Sequence, residues 1–137
     1  MASTIRVRAE ILDAMLQHAR SQPGAECCGL LAGRGGIVAA IFRAENALAS
    51  ATAYEIAPRE LFALFRRMRE ERLDQLGIYH SHPAGENKPS ARDIEQAFYP
   101  EAAYFIISPQ RDALKPIRAF SIREGRAAEL EIVVTTL

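Results

Sequence analysis

The segment Gly77-Ile78-Tyr79-His80-Ser81-His82-Pro83 decides the local fold. Its apolar residues favour a β-strand, and residues two apart on a strand point to the same face, so both imidazoles can reach one ion. Pro83 lacks a backbone donor and cannot continue a central strand. We therefore expect the strand to end at the histidines, which leaves them open to a substrate.

A serine and an aspartate follow these histidines at short spacing. Seven residues separate His82 from Ser90, and two more separate Ser90 from Asp93. Residues 83–89 are polar and turn-rich, and Ser90 stands where the N-cap of a helix over 91–98 is expected. Asp93 then lies in the first helical turn, which can bring its carboxylate back toward the histidines. Two imidazoles and a carboxylate suit a divalent metal, so the pattern predicts a metallohydrolase.

The same serine and aspartate also have a purely structural explanation. A Ser-x-x-Asp pair commonly caps a helix, because the serine satisfies orphan backbone donors and the helix dipole favours the acid. For an isolated pair we would prefer that explanation. The chain has only three histidines, however, and His80 and His82 both stand close to Asp93. The combination favours a metal site.

With these residues identified, the chain resembles the JAMM (MPN-plus) metalloproteases. The resemblance rests on His80, His82, Ser90 and Asp93 at the spacing of that family, and on Glu26 ahead of a segment rich in glycine and leucine. It implies that His80, His82 and Asp93 are zinc ligands. It also implies that Glu26 is the general base for the zinc-bound water, and that Ser90 stabilises the developing oxyanion.

The residues by themselves do not identify the general base. Glu10, Glu45, Glu55 and Glu86 are formally as suitable as Glu26. The position of Glu26 at the mouth of an apolar strand favours it, and the resemblance decides the assignment.

The resemblance also implies a substrate. The chain is similar to the short bacterial and archaeal JAMM proteins, which process ubiquitin-like sulfur-carrier proteins that end in Gly-Gly. They trim the tail or release an attached amino acid such as cysteine. The chain lacks the long insertions of the larger deubiquitinating relatives, which favours a small carrier protein. An extended Gly-Gly tail could add beside an exposed sheet edge and reach the metal.

Two other functions remain open on the sequence. A non-catalytic MPN-type scaffold would be expected to lack metal ligands, yet all are present. A cysteine hydrolase would pair Cys27 or Cys28 with one of the two histidines. Adjacent Cα atoms lie about 3.8 Å apart, too close for an unstrained disulfide, so we expect both thiols to be reduced. A deaminase-type zinc site would need His-x-Glu and Pro-Cys-x-x-Cys signatures, which are absent from the sequence.

The composition fits a single globular unit. The chain has 137 residues, of which 49% are hydrophobic, so it can build a core without disulfides. Seventeen basic residues balance seventeen acidic ones, and no basic run is interleaved with aromatics, which argues against nucleic-acid binding. We find no membrane-spanning stretch or signal peptide and expect a cytoplasmic protein. We predict one JAMM/MPN-like metallopeptidase domain over residues 1–137.

The hydrophobic periodicity predicts an α/β fold, with a curved mixed sheet flanked by helices, as the resemblance also implies. His18 falls outside the apolar stripe of the first helix, so we expect it to be solvated and assign it no function. Cys27 and Cys28 should face opposite sides of their strand. Helices are predicted over 9–20, from Pro58 onward and over 91–98, and strands over 4–7, 27–32, 37–43, 54–56, 77–80, 102–108, 117–122 and 128–134.

Overall fold

The computed structural model describes residues 3–136. Within that range no helix combines the length and the apolar character that a bilayer crossing requires. In chain order the elements are β1 (Thr4–Arg8), α1 (Ala9–Ser21), β2 (Cys28–Arg34), β3 (Ile37–Ala44), α2 (Pro58–Glu70), β4 (Asp74–Ser81), α3 (Ala91–Glu95), β5 (Ala103–Ile107), β6 (Ile117–Arg123) and β7 (Arg126–Thr135).

The strands form one mixed sheet in the spatial order β1-β3-β2-β4-β5-β6-β7. β1 pairs in parallel with both β3 and β7, which closes the sheet into a barrel, and β4 pairs in parallel with β5. The remaining neighbours are antiparallel. The predicted α/β class and curved mixed sheet are therefore confirmed. The tight β2–β3 turn uses Gly35 and Gly36, whose φ angles of 62° and 76° favour glycine.

The sheet separates two apolar clusters, one on the side of α1 and one on the side of α2. Successive side chains on β2 enter opposite clusters: Leu31 packs with Met15 of α1, whereas Leu30 packs with Leu64 of α2. This period of two is what a strand buried on both faces requires. Cys27 and Cys28 follow it as predicted, since each contributes to a different cluster.

Strand β4 carries the predicted histidines through the centre of the sheet. It lies between β2 and β5, with His80 opposite Cys28 on one side and Ile106 on the other. The strand ends at Ser81, just before His82 and Pro83, as the sequence predicts. The candidate site therefore lies where a buried central strand opens into a loop.

Several predicted strands differ from the structure by one to three residues at their ends, β4 for example beginning at Asp74. Two further differences concern a predicted strand and the length of a helix. Residues 54–56 are not a strand. The Glu55 amide donates instead to the Asn46 side chain, and the Glu55 carbonyl accepts from Ala47, so a loop satisfies these groups. Helix α3 ends at Glu95, earlier than the predicted residue 98. The Ala97 amide bonds the carbonyl three residues back, at Ile94, which closes a tight turn, and Pro100 follows shortly afterwards.

The expectation that His18 is solvated is wrong. It is 4% exposed, and its Nδ1 lies 2.7 Å from the Tyr79 hydroxyl, on the side of the sheet that α1 covers. A buried tyrosine hydroxyl needs a polar partner, and the helix supplies one. Gly29 leaves room for this ring, since a Cβ there would lie 2.6 Å from the hydroxyl oxygen. His18 therefore joins α1 to β4.

Candidate metal centre and active site

Three predicted ligands converge at the end of β4. His80 Nε2 lies 3.2 Å from His82 Nε2 and 3.1 Å from Asp93 Oδ1, while His82 Nε2 lies 3.1 Å from Asp93 Oδ2. Donors about 2.0 to 2.1 Å from a tetrahedral zinc ion are separated by about 3.3 Å. The measured separations are close to this value, and one ligand atom from each of the three side chains lies within 4.8 Å of the others, so the group could hold a metal ion.

The electrostatics of His80 and Asp93 favour the protonation states that bind a metal. Burial lowers the pKa of His80, which keeps its imidazole neutral. Burial alone would raise the pKa of Asp93, but hydrogen bonds with His80 and His82 outweigh it and hold that pKa well below its usual range. Neutral imidazoles and an ionised carboxylate are the forms that coordinate metals.

The backbone fixes the orientation of His82. Its Nδ1 lies 2.7 Å from the Glu86 carbonyl oxygen, which can only accept a hydrogen bond. Nδ1 therefore carries the proton, and the neutral ring presents the lone pair of Nε2 to the ligand group. Burial would lower the pKa of His82, but its hydrogen bonds with Asp93 and the Glu86 carbonyl raise it.

Ser90 and Asp93 form the capping box at the start of α3. The Asp93 amide donates to Ser90 Oγ at 3.1 Å, and the Ser90 amide donates to Asp93 Oδ2 at 2.9 Å. The capping role and the candidate metal site are thus compatible, because the cap also fixes the carboxylate that faces the histidines. Ser90 is exposed and its hydroxyl proton is not used by the cap. An oxyanion role for Ser90 stays a prediction.

Glu26 lies beside this group, just ahead of β2. Ser81 holds the neighbouring backbone: its Oγ accepts from the Cys27 amide at 2.9 Å, and its amide donates to the Cys27 carbonyl at 3.0 Å. Glu26 is 4% exposed, and its Oε1 is buried without a hydrogen-bond partner among the described residues. Burial raises the pKa of Glu26 to about 7, although the charge of nearby His82 opposes the shift.

These properties favour Glu26 over the four other candidate bases. A carboxyl with a pKa near 7 can accept and return a proton at neutral pH. The other four candidates, Glu10, Glu45, Glu55 and Glu86, are all exposed. Glu10 is also paired with Arg8, and Glu86 with Lys88.

Comparison with known protein families agrees with this geometry. Residues 8–123 match the Prok-JAB family, the prokaryotic homologs of the JAB domain. The chain belongs to the Prok-JAB family.

Relatives of this Prok-JAB chain are named for the cleavage of protein conjugates. A desampylase from Haloferax volcanii is 36% identical over 115 residues, which cover 79% of this chain and 83% of the relative. A CysO-cysteine peptidase from Mycobacterium bovis is 33% identical over 129 residues, covering 90% and 86%. The solution structure of a protein from Desulfitobacterium hafniense superposes with a TM-score of 0.85 at 34% identity, covering 98% of this chain and 94% of that one.

The cysteines of this Prok-JAB chain are poorly suited to nucleophilic attack. Cys27 is 1% exposed and Cys28 is fully buried, and both are free thiols. Burial raises the pKa of Cys27 to about 11 and that of Cys28 to about 12. Because the thiolate is the reactive form, protonated and enclosed thiols argue against a cysteine hydrolase.

Several residues around the Prok-JAB site are not apparent in the sequence pattern. Tyr54 stacks on His80, with ring centroids 4.6 Å apart and planes inclined by 24°. The buried Asn87 side chain donates to the Lys115 carbonyl at 2.7 Å and holds the loop 83–89 against the loop that follows β5. Gln110 donates to the Pro83 carbonyl at 2.7 Å. Their importance arises from partners that are distant in sequence, and no local pattern indicates them.

Proposed function

We propose that this Prok-JAB protein is a zinc-dependent peptidase or isopeptidase. Its substrate would be a ubiquitin-like sulfur-carrier protein, cut at the Gly-Gly C terminus by tail trimming or by release of an attached amino acid such as cysteine. One observation carries the proposal: the His80, His82 and Asp93 ligand atoms converge beside Glu26, whose buried Oε1 has no hydrogen-bond partner among the described residues. A metallopeptidase needs both the metal ligands and a general base, whereas a scaffold needs neither.

The two histidines, through Nε2, and the Asp93 carboxylate would hold the metal. Zinc bound there would act as a Lewis acid that polarises a carbonyl, and it would lower the pKa of its bound water to about 7. The buried His80 Nδ1 has no hydrogen-bond partner among the described residues, and the Tyr54 ring stacks on the imidazole and helps to orient it. His82 and Asp93 are oriented by hydrogen bonds, which gives the site a defined geometry before substrate arrives.

The proton transfers belong to Glu26. Its carboxylate would take a proton from the attacking water as that oxygen bonds to the scissile carbonyl carbon. When the C–N bond breaks, Glu26 would return the proton to the leaving amine, so the carboxylate is regenerated. The Ser90 hydroxyl would donate to the developing oxyanion. No covalent bond to a cysteine is required.

A partly apolar cleft beside the site supports a tail-like substrate. Its volume is about 180 Å³, and it begins at the Tyr54 ring that covers His80. An extended chain of small residues can enter such a cleft, whereas a folded domain must stay outside. The names of the relatives point to the same class of substrate. Other residues lining the cleft are Leu30, Glu55, Ile56, Leu61, Ile78, Gln96, Phe98 and Tyr99.

Mass spectrometry of carrier proteins tests the proposal. Small carriers ending in Gly-Gly, with and without a C-terminal extension, would be incubated with the zinc-loaded protein. We expect a mass loss equal to the extension or to a trimmed tail, and no loss after chelation. The Glu26→Gln variant should retain zinc and the fold while losing most turnover, since an amide cannot accept the proton.

The cysteine alternative is tested in the same assay. Cys27→Ser and Cys28→Ser should retain metal-dependent cleavage, with lower stability where a hydroxyl is buried in an apolar environment. Loss of turnover in a folded, zinc-loaded cysteine variant would favour a cysteine hydrolase. Full zinc occupancy without cleavage of any carrier would favour a scaffold or another substrate.

A further inference from the structure

Asn46 lies outside every motif in the sequence, yet it connects the candidate base to the loop beside the metal ligands. It is 7% exposed. Its Nδ2 donates to the Glu26 carbonyl at 3.0 Å and the Ala53 carbonyl at 2.9 Å, with the Ser50 carbonyl at 3.3 Å. Its Oδ1 accepts from the Leu48 amide at 3.0 Å and the Glu55 amide at 3.2 Å. Both ends of this amide are therefore fully used.

The backbone of Glu26 depends on this segment. Its carbonyl accepts from Asn46, and its amide donates to the Ser50 carbonyl at 2.8 Å. Glu26 lies before β2 begins, so no strand neighbour holds these two groups. The buried Oε1 of its side chain has no hydrogen-bond partner within residues 3–136. The position of the carboxyl is therefore set largely through its backbone.

The same amide also reaches the residues that flank Tyr54. Ala53 and Glu55 are bonded to opposite ends of the Asn46 side chain, and the Tyr54 ring between them stacks on His80. One buried side chain thus joins the backbone of the candidate base to the loop that covers a metal ligand.

We propose that Asn46 is the positioning residue for Glu26. The proposal rests on the function given above, in which Glu26 transfers protons beside the metal. Catalytic geometry tolerates little displacement, and a shift of about 1 Å can cost about 10²-fold in rate. Asn46 acts through Glu26 and does not touch the reacting atoms. Its loss should therefore lower kcat while leaving the affinity for zinc, whose three ligands Asn46 does not contact, nearly unchanged.

The test begins with Asn46→Ala. In the metal-free variant, amide hydrogen exchange at Glu26, Leu48 and Glu55 should accelerate at least about tenfold relative to amides of β5, because their acceptors are lost or released. Zinc affinity, measured by competition with a chromophoric chelator, should stay within about threefold of wild type. The kcat for cleavage of the extended carrier should fall at least about tenfold.

A double-mutant cycle separates positioning from general damage. In the Glu26→Gln background, Asn46→Ala should cause little further loss of kcat, since the group that it positions is already disabled. The matched control is Val7→Ala, which removes buried apolar volume from β1. It should lower the melting temperature but leave kcat and the exchange at Glu26 unchanged.

Asn46→Asp covers the case in which the alanine variant fails to fold. It has the same shape and keeps the acceptor for Leu48 and Glu55, but it cannot donate to the Glu26 carbonyl. We expect it to fold, bind zinc and lose kcat as Asn46→Ala does.

Unchanged exchange at Glu26, or a kcat loss that adds fully to that of Glu26→Gln, overturns the proposal. If wild type cleaves no carrier, the proposed function fails, and the exchange result alone decides whether Asn46 holds Glu26.

Discussion

His80 and His82 are two residues apart and face the same point, yet they are held by different parts of the molecule. His80 belongs to β4, is 2% exposed and is covered by the Tyr54 ring. His82 lies just after the strand. Its amide donates to the Ile107 carbonyl at the end of β5 at 2.9 Å, and its ring is held through the Glu86 carbonyl. The ring of one candidate ligand is thus fixed by packing against the sheet, and the ring of the other by a hydrogen bond to a loop.

The difference shows which part of the site is held by the sheet and which part depends on a loop. Neighbouring strands enclose His80 on both sides, so its position follows from the fold. The orientation of the His82 ring depends on the loop 83–89, which is itself held by Asn87 and Gln110. A change remote from the metal should therefore disturb the loop side, His82 with Asp93, more than the strand side.

The largest expected effect comes from removing a ligand. His82→Ala should lower zinc affinity by more than about 10³ and abolish carrier cleavage, because two remaining ligands make a weak site. His80→Ala should do the same and should also lower stability, since it leaves a cavity beside Tyr54. Zinc content by atomic emission and melting by circular dichroism measure the two effects. Full zinc occupancy in His82→Ala would remove it from the ligand set.

The next largest effect is expected from replacing Ser90, the N-cap residue of α3. If Ser90 were only an N-cap, Ser90→Ala would cost about 1 kcal/mol of stability and leave the chemical step unchanged. As an oxyanion donor it should also lower kcat by about 10² or more while zinc content stays near full. We predict the large kcat loss, measured in single turnover with zinc content determined on the same sample. A less stable variant with normal kcat would show that Ser90 is only a cap.

Glu26 should have a measurable effect on stability in the absence of metal. Its folded pKa is raised from 4.5 to about 7, so the folded state binds more protons than the unfolded state between those values. Stability due to this group is therefore lost as pH rises from about 4.5 to 7. Metal-free Glu26→Gln, which stays neutral, should be more stable than wild type by on the order of 3 kcal/mol at pH 8 and by little near pH 4. Urea unfolding in a chelating buffer measures the difference. A gap independent of pH would contradict the raised pKa.

The sequence predicts the strand side of this comparison well. Alternating apolar residues indicate β4, Pro83 indicates where it ends, and the two imidazoles then share a face. The capping pattern likewise predicts the start of α3 at Ser90. These features follow from local rules, because neighbours in sequence determine both the conformation and the direction of the side chains.

The loop side and the buried polar contacts were not predictable in the same way. His18 was expected in solvent because it falls outside an apolar stripe, yet Tyr79, 61 positions away, supplies a buried partner. The sequence also predicts a strand over residues 54–56, but the Glu55 amide donates to the Asn46 side chain in a loop instead. Single polar residues in loops carry no periodic signal, so their roles become visible only when the distant backbone groups they contact are known.

Asn87 provides the finest test of the comparison between the two ligands. Its side chain bonds the backbone of residues outside the loop, so Asn87→Ala should loosen the Glu86 carbonyl that holds His82 while leaving His80 in the sheet. Outer-sphere partners of metal ligands commonly contribute about 10 to 100-fold in affinity, and we expect a zinc affinity lower by about 10-fold. With Co²⁺ as the probe ion, visible absorption should report the altered ligand field. The control Val7→Ala should lower melting temperature without changing zinc affinity. If Asn87→Ala binds zinc like wild type, the loop does not limit the position of His82, and the two histidines are held equally well.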